Sequence, residues 1–359
     1  MKILEVCRSF YPSIGGLEKF ISQRLKIYEM LNFEYSVLTT DYTTGKLLRE
    51  YGNDKVKYLK QYTQYNYCPS YKKKILDKYD IISVNQIGNY LSDITLAHSI
   101  KLGKKVLLTP HFHFHTSKYQ LFKSIHDSLL TRKLLNKAYK IICFTNSEME
   151  YWQRFYRIDT NKLLKIPHYV EVENRLPYEV KSSNRKFILY LGRSSLNKRI
   201  DLLIKSISQN KNLPFDFLLT INKNELSDGL QKLVSGDERI KFLGCISEKD
   251  KNRYLKACEA LIIPTDYEAF GIVTLEASSY SKPIICSDIG VLREILDNNG
   301  VIFFENNVDS LSAAIKRFNT LGDLKKLEMG EINYNNLSNY NFEKIFRSYE
   351  ELFNGIWPN

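Results

Sequence analysis

No apolar run in the chain approaches the roughly 18 residues that a membrane-spanning helix needs. Met1-Lys2-Ile3-Leu4 opens directly into a strand-like run, so neither a signal peptide nor a membrane anchor is expected. The six cysteines (Cys7, Cys68, Cys143, Cys245, Cys258, Cys286) are scattered, with no C-x-x-C and no paired spacing. That removes a disulfide framework and fits reduced thiols in a cytoplasmic protein. The dinucleotide fingerprint G-x-G-x-x-G is missing. There is no low-complexity tract, no short-period repeat and no nucleic-acid motif, and aromatic interleaving is sparse.

What is present is globular. With 359 residues, 43% apolar and 26% charged, the chain is long and apolar enough for two domains, each with its own core. Its net charge of +12 is unevenly placed: residues 1–180 carry 28 Lys and Arg against 17 Asp and Glu, the remainder 24 against 23. A basic first half points to an anionic partner such as a membrane surface, a phosphorylated lipid or nucleic acid; a dispersed, solvated lysine surface is the alternative.

Short β-type runs recur along the chain: Ile3–Val6, Ser36–Thr39, Ile81–Val84, Val106–Thr109 and Ile141–Phe144. After a polar stretch from Glu171 to Lys186, which reads as a linker, the rhythm restarts at Phe187–Leu191. It continues through Phe217–Thr220, Ile240–Leu243, Ala260–Ile263, Pro283–Cys286 and Val301–Phe304. Helical patterns such as Leu17–Met30 separate most of them. Strands alternating with helices predict an α/β chain with parallel, doubly wound sheets.

The most informative stretch is Pro264-Thr265-Asp266-Tyr267-Glu268-Ala269-Phe270-Gly271-Ile272, with Glu276 eight residues beyond Glu268. It reads as strand, loop and helix start. Unpaired amides at a helix start can hold phosphate or sugar oxygens, and two carboxylates beside them suit sugar and ribose hydroxyls. Glu268 could instead simply favour the helix dipole. A second loop, Leu191-Gly192-Arg193-Ser194-Ser195-Leu196-Asn197-Lys198, brings two cations to a strand's carboxyl end, where a diphosphate could be neutralised.

In the first half, Gly15-Gly16 lies between strand and helix, as a tight turn or as a close backbone approach to a ligand. His111, His113 and His115 would share one face if extended, as hydrogen-bonding groups or as zinc ligands. Thr145-Asn146-Ser147-Glu148 has the capping-box pattern. Tyr119–Lys140 and the segment from Lys72-Lys73-Lys74 read as basic helices, able to lie on an anionic membrane or simply to present a solvated face.

In this order the segments resemble the retaining glycosyltransferases of family 4, which have the two-domain GT-B fold. The resemblance covers nearly the whole chain. It takes in Gly15-Gly16, His111 after Thr109-Pro110, Thr145…Glu148, Ile166-Pro167, Gly192-Arg193…Lys198, Phe242-Leu243-Gly244, and Glu268-Ala269-Phe270-Gly271…Glu276. Pro283, Ser287-Asp288-Ile289-Gly290…Glu294 and Asn299-Gly300 close it.

The resemblance implies two Rossmann-like domains facing each other across a cleft: residues 1–175 for the acceptor, 176–340 for the nucleotide sugar, and 341–359 as a helix crossing back to the first domain. Arg193 and Lys198 would hold the leaving diphosphate, and Gly15 and Gly16 would line it, with the Gly16 amide as donor. Glu276 would take the ribose hydroxyls and Glu268 a hydroxyl of the transferred sugar. The amides from Ala269 to Ile272 would take further sugar oxygens, and His111 would reach the sugar. Without an Asp-x-Asp the diphosphate charge needs no metal, so no cofactor is expected. The chain departs from the family pattern at His168-Tyr169-Val170-Glu171, at Arg199 and Ser281 where glycines are usual, and at Val291.

The expected activity is transfer of a sugar from a nucleoside-diphosphate sugar to a saccharide or lipid-linked saccharide, in the cytoplasm or at the inner face of the cell membrane. Partners would be the donor, the acceptor and an anionic membrane under the basic first domain. An enzyme modifying DNA bases and a non-catalytic nucleotide-sugar sensor are the alternatives.

Overall fold

The structure, a computed structural model, describes residues 1–13, 15–41, 54–62, 67–111, 132–171 and 185–356. The chain divides into two compact units: Met1–His168 together with Ile345–Asn359, and Tyr169–Lys344.

The first unit is built on a seven-stranded sheet in the order β3-β2-β1-β4-β5-β6-β7. Its strands are β1 Lys2–Val6, β2 Glu34–Thr40, β3 Val56–Leu59, β4 Ile81–Asn85, β5 Lys105–Thr109, β6 Lys140–Cys143 and β7 Leu163–Lys165. Every pairing is parallel. A parallel sheet covered on both faces needs apolar runs rather than alternation, and all five residues of β4 are buried. The helix Gly16–Met30 buries Phe20, Ile21, Leu25, Ile27 and Tyr28. Helix Asn146–Tyr156 starts at Thr145, whose hydroxyl accepts from the Glu148 amide at 3.1 Å, while the Glu148 carboxylate accepts from the Phe144 amide at 2.8 Å. The last helix, Phe342–Ile356, buries Ile345, Tyr349, Leu352, Phe353 and Ile356. Phe353 meets Tyr28 and Phe33 edge-on, and the Lys105 ammonium donates to the Ile356 carbonyl at 2.7 Å.

The second unit has a six-stranded sheet in the order β10-β9-β8-β11-β12-β13. These are β8 Phe187–Tyr190, β9 Asp216–Leu219, β10 Ile240–Phe242, β11 Ala260–Ile263, β12 Ile284–Ser287 and β13 Val301–Phe304. All pairings are again parallel. Helices Ile200–Gln209 and Val308–Thr320 close one core through Leu203, Ile207, Phe215, Phe217, Ile315 and Phe318. Helix Asp323–Asn336 comes so close to the Ser281 turn that a Cβ on Gly330 would lie 2.0 Å from the Ser281 carbonyl oxygen.

Both sheets are doubly wound, with the strand order reversing between β1 and β4 and between β8 and β11. At such a reversal the following loops diverge and leave a crevice at the strands' carboxyl ends.

Some expectations change. Lys72-Lys73-Lys74 opens no amphipathic α-helix but a short 3₁₀ turn, Lys73–Lys78, in which only Leu76 is buried. With so little apolar surface to bury, nothing sustains a longer helix there. The helix read over Tyr119–Lys140 does not reach Lys140: it ends at Leu135, and Lys140 opens β6. Residues 119–131, His113, His115 and most of the linker, 172–184, lie outside the described residues. No described helix is long and apolar enough to cross a membrane.

Candidate functional site

In the second unit the two loops singled out in the sequence follow neighbouring strands. Residues 191–199 follow β8, residues 264–271 follow β11, and β8 and β11 pair where the strand order reverses. At Gly192 the backbone passes close to the Tyr190 ring: a Cβ would lie 2.6 Å from its hydroxyl and would displace it. That hydroxyl donates to the Arg193 carbonyl at 3.1 Å, and the Gly192 amide donates to Thr220 Oγ1 at 3.1 Å. The backbone carrying Arg193 is thereby fixed, while its side chain is exposed.

Thr265 ties the two loops together. Its hydroxyl donates to the Asn197 carbonyl at 3.0 Å, and the Asp266 amide donates to the same carbonyl at 2.8 Å. Its own amide donates to Ser287 Oγ at 2.7 Å, that hydroxyl donates to Asn306 Oδ1 at 2.6 Å, and the Asn306 amide returns to the Thr265 carbonyl at 2.9 Å. The loops after β8, β11 and β13 and the last residue of β12 are thus locked into one frame. On it, Lys198 Nζ donates to Glu268 Oε1, joining the proposed phosphate cation to the proposed sugar carboxylate.

Gly271 then turns the chain into helix Ile272–Ser279. Its φ of +83° lies in the left-handed region, which favours glycine, and a Cβ there would also lie 2.8 Å from the tip of Leu292 at Cδ2. Phe270 is buried edge-on against Tyr340, and Ala269 is half-buried beside it. Glu276, a turn into the helix, is 8% exposed and accepts from Lys251 Nζ at 2.9 Å. Lys251 also meets Glu248 at 2.7 Å. Burial works against its charge, but Glu276 and Glu248 outweigh that and raise its pKa.

Arg199 stands where a glycine is usual, and its φ of +41° shows why glycine would suit. The left-handed conformation is held by ion pairs to Asp266 at 2.9 Å and Asp201 at 3.2 Å. Ser281, at φ +52°, is the same substitution in a second place.

In the first unit, Gly15 is extended and Gly16 opens its helix; a Cβ on Gly16 would meet nothing within 4 Å, so packing among the described residues does not demand glycine there. His111 follows β5, is 6% exposed, and its Nε2 lies 3.1 Å from Asn85 Oδ1. Among the described residues no cluster of His, Cys, Asp or Glu could hold a metal ion.

Sequence reading missed Lys251, the Thr265–Ser287–Asn306 frame and the buried neighbours of His111. One residue behind them left a signal: Glu5, a carboxylate between the buried apolar Leu4 and Val6 of β1.

Comparison with known proteins gives this arrangement a family. The model for glycosyl transferases group 1 matches residues 173–335, and that for glycosyltransferase family 4 matches residues 14–174. An uncharacterized glycosyltransferase of Methanocaldococcus jannaschii is 22% identical over 96% of each chain. The GDP-mannose:cellobiosyl-diphosphopolyprenol alpha-mannosyltransferase of Komagataeibacter xylinus is 21% identical over 99% of this chain and 93% of that protein. Among solved structures, Anabaena HepE in complex with UDP-glucose superposes with a TM-score of 0.78 at 16% identity, over 99% of this chain and 100% of that one. The likeness establishes the GT-B fold. With two family models in tandem spanning residues 14–335, the chain belongs to the group 1, family 4 glycosyltransferases.

Proposed function

We propose that this glycosyltransferase is a retaining enzyme that moves a sugar from a nucleoside-diphosphate sugar to a lipid-linked or free saccharide acceptor. The observation that carries the reading is the meeting of Lys198 and Glu268 at the strand-order reversal of the second unit, with Glu276 one turn further along. A donor's diphosphate takes Lys198 and Arg193. Glu268, released from the lysine, accepts a hydroxyl of the sugar, the amides from Ala269 to Ile272 take its other oxygens, and Glu276 takes the ribose. Gly16 offers its amide to the phosphates and His111 serves the sugar.

In the reaction the sugar's C1–O bond to the diphosphate breaks and a C1–O bond to the acceptor forms on the same face. The acceptor's proton passes to the departing phosphate oxygen. Two fixed cations meet the charge that grows on the leaving group, a form of stabilisation that acts in the transition state. They supply what a metal ion would otherwise supply.

A lipid-linked acceptor is supported by the basic first half of the chain and by the diphosphopolyprenol in the name of the Komagataeibacter relative. A peripheral position on the inner face of the cell membrane follows from that acceptor. The test presents UDP- and GDP-sugars without acceptor, then with anionic vesicles carrying polyprenyl-phosphate saccharides, and reads the anomer of the product by NMR. Release from one donor, vesicle stimulation and an unchanged anomeric configuration are expected. Bound nucleotide with no release from any donor would overturn catalysis in favour of a sensor, and an inverted product would overturn retention.

A further inference from the structure

Glu5, in the middle of β1, is fully buried, and so is Arg24 of the helix Gly16–Met30. They form an ion pair in the interior of the first unit. Burying two charges is costly, and an apolar pair of similar volume is often as stable or better, so packing alone does not account for them. Their remaining bonds run in one direction. Arg24 Nη1 donates to Thr109 Oγ1 at 2.9 Å and Nη2 donates to Asn85 Oδ1 at 2.6 Å, while Tyr28 donates to Glu5 Oε2 at 3.0 Å. Asn85 is paired with Thr109 in the β4–β5 register, next to the chain that leads to His111.

The Asn85 amide can face only one way. Its nitrogen donates to the Val6 carbonyl at 3.0 Å and to Glu5 Oε1, both of which only accept. Its oxygen receives Arg24 Nη2, which only donates. The atom 3.1 Å from His111 Nε2 is therefore an acceptor, and Nε2 must carry the proton. The ring is flanked edge-on by Phe20 and Phe144, with centroids at 4.9 and 5.3 Å, and its backbone holds a φ of +48°. Such a conformation persists only where the surroundings over-determine it.

We infer that Asn85, clamped by the buried Glu5–Arg24 pair, is a positioning residue that locks His111 as the Nε2–H tautomer. In the neutral ring Nδ1 is then an acceptor, suited to a sugar hydroxyl and unsuited to a phosphate oxygen. The functional part of this inference rests on the role given to His111 above; the tautomer itself does not.

The test is ¹⁵N–¹H correlation spectroscopy of the full chain labelled at histidine, with His111 assigned by His111→Gln, alongside donor hydrolysis. The wild type is expected to show the Nε2–H pattern for His111. Asn85→Ala gives a mixture of tautomers and lowers kcat about tenfold or more, with the donor KM changed far less. An Nδ1–H pattern in the wild type overturns the inference, and decides it alone should Asn85→Ala fail to fold. A relaxed tautomer with unchanged kcat overturns the positioning role. Absence of turnover by the wild type defeats the proposed function and leaves the tautomer standing.

Discussion

His168 lies in a stretch that departs from the family pattern, and its surroundings make it an acid-sensitive point. It is 5% exposed, its ring meets Phe20 and Phe144 at 4.8 and 4.4 Å, and burial, with the positive charges of Lys19 and Arg24, lowers its pKa from 6.5 to about 3. The folded state therefore holds it neutral, while the unfolded chain binds a proton below pH 6.5. Its contribution to stability is fully present above that pH and is lost as pH falls toward 3. Integrating the difference in bound protons between pH 7 and pH 5 gives a loss of about 2 kcal/mol from this one group, with a limiting slope of about 1.4 kcal/mol per pH unit. His168→Asn removes the titration. Urea unfolding followed by fluorescence of Trp152, buried in the same unit, with Trp357→Phe as background, reads both chains at pH 7 and pH 5. The wild type should lose about 2 kcal/mol more than the variant across that interval. Parallel losses would refute the reasoning.

Lys198→Ala and Glu276→Ala should each abolish donor turnover in a protein with unchanged circular dichroism; wild-type rates from either would remove the site assignment. Lys251→Met removes the ammonium that donates to Glu276 and should raise the donor KM about tenfold or more, since hydrogen bonds to charged groups are worth about 1.5–3 kcal/mol. Gly330→Ala would gain about 1 kcal/mol from helix propensity in open space, but the Ser281 backbone at 2.0 Å should turn this into a net loss of about 1–3 kcal/mol in urea unfolding. At Arg199 both Gly and Ala delete the ion pairs and only Ala keeps the left-handed cost, so Arg199→Gly should exceed Arg199→Ala in stability by about 1 kcal/mol. Equal stabilities would show that the turn stores no strain.

The strands were legible because parallel strands buried on both faces must be largely apolar runs, as in Ala260–Ile263. The two strands that reading missed, Val56–Leu59 and Leu163–Lys165, lie at the edges of their sheet, where exposed positions interrupt the run. Lys198, Glu268 and Glu276 were legible from their place after strands, because loops at the carboxyl ends of a doubly wound sheet are where ligands bind. Lys251 was not: on the helix Glu248–Ala257 it reads as part of a charged, solvated face, and only the fold shows it 14% exposed against Glu276. The bond from Arg24 to Asn85 joins residues 61 positions apart, and no local pattern announces it.

The order in which the chain visits its two units bears on how it is made. Tyr169–Lys344 is a continuous segment, and its ends are tied by the Val170 amide donating to the Tyr340 carbonyl at 2.9 Å. The first unit is interrupted, and Tyr28, Phe33 and Lys105 await Phe353 and Ile356. During synthesis the later segment can finish folding while the earlier one still exposes the seat of its final helix. The apolar surface around Tyr28 is then the last to be covered, and a nascent chain is most in need of chaperones there.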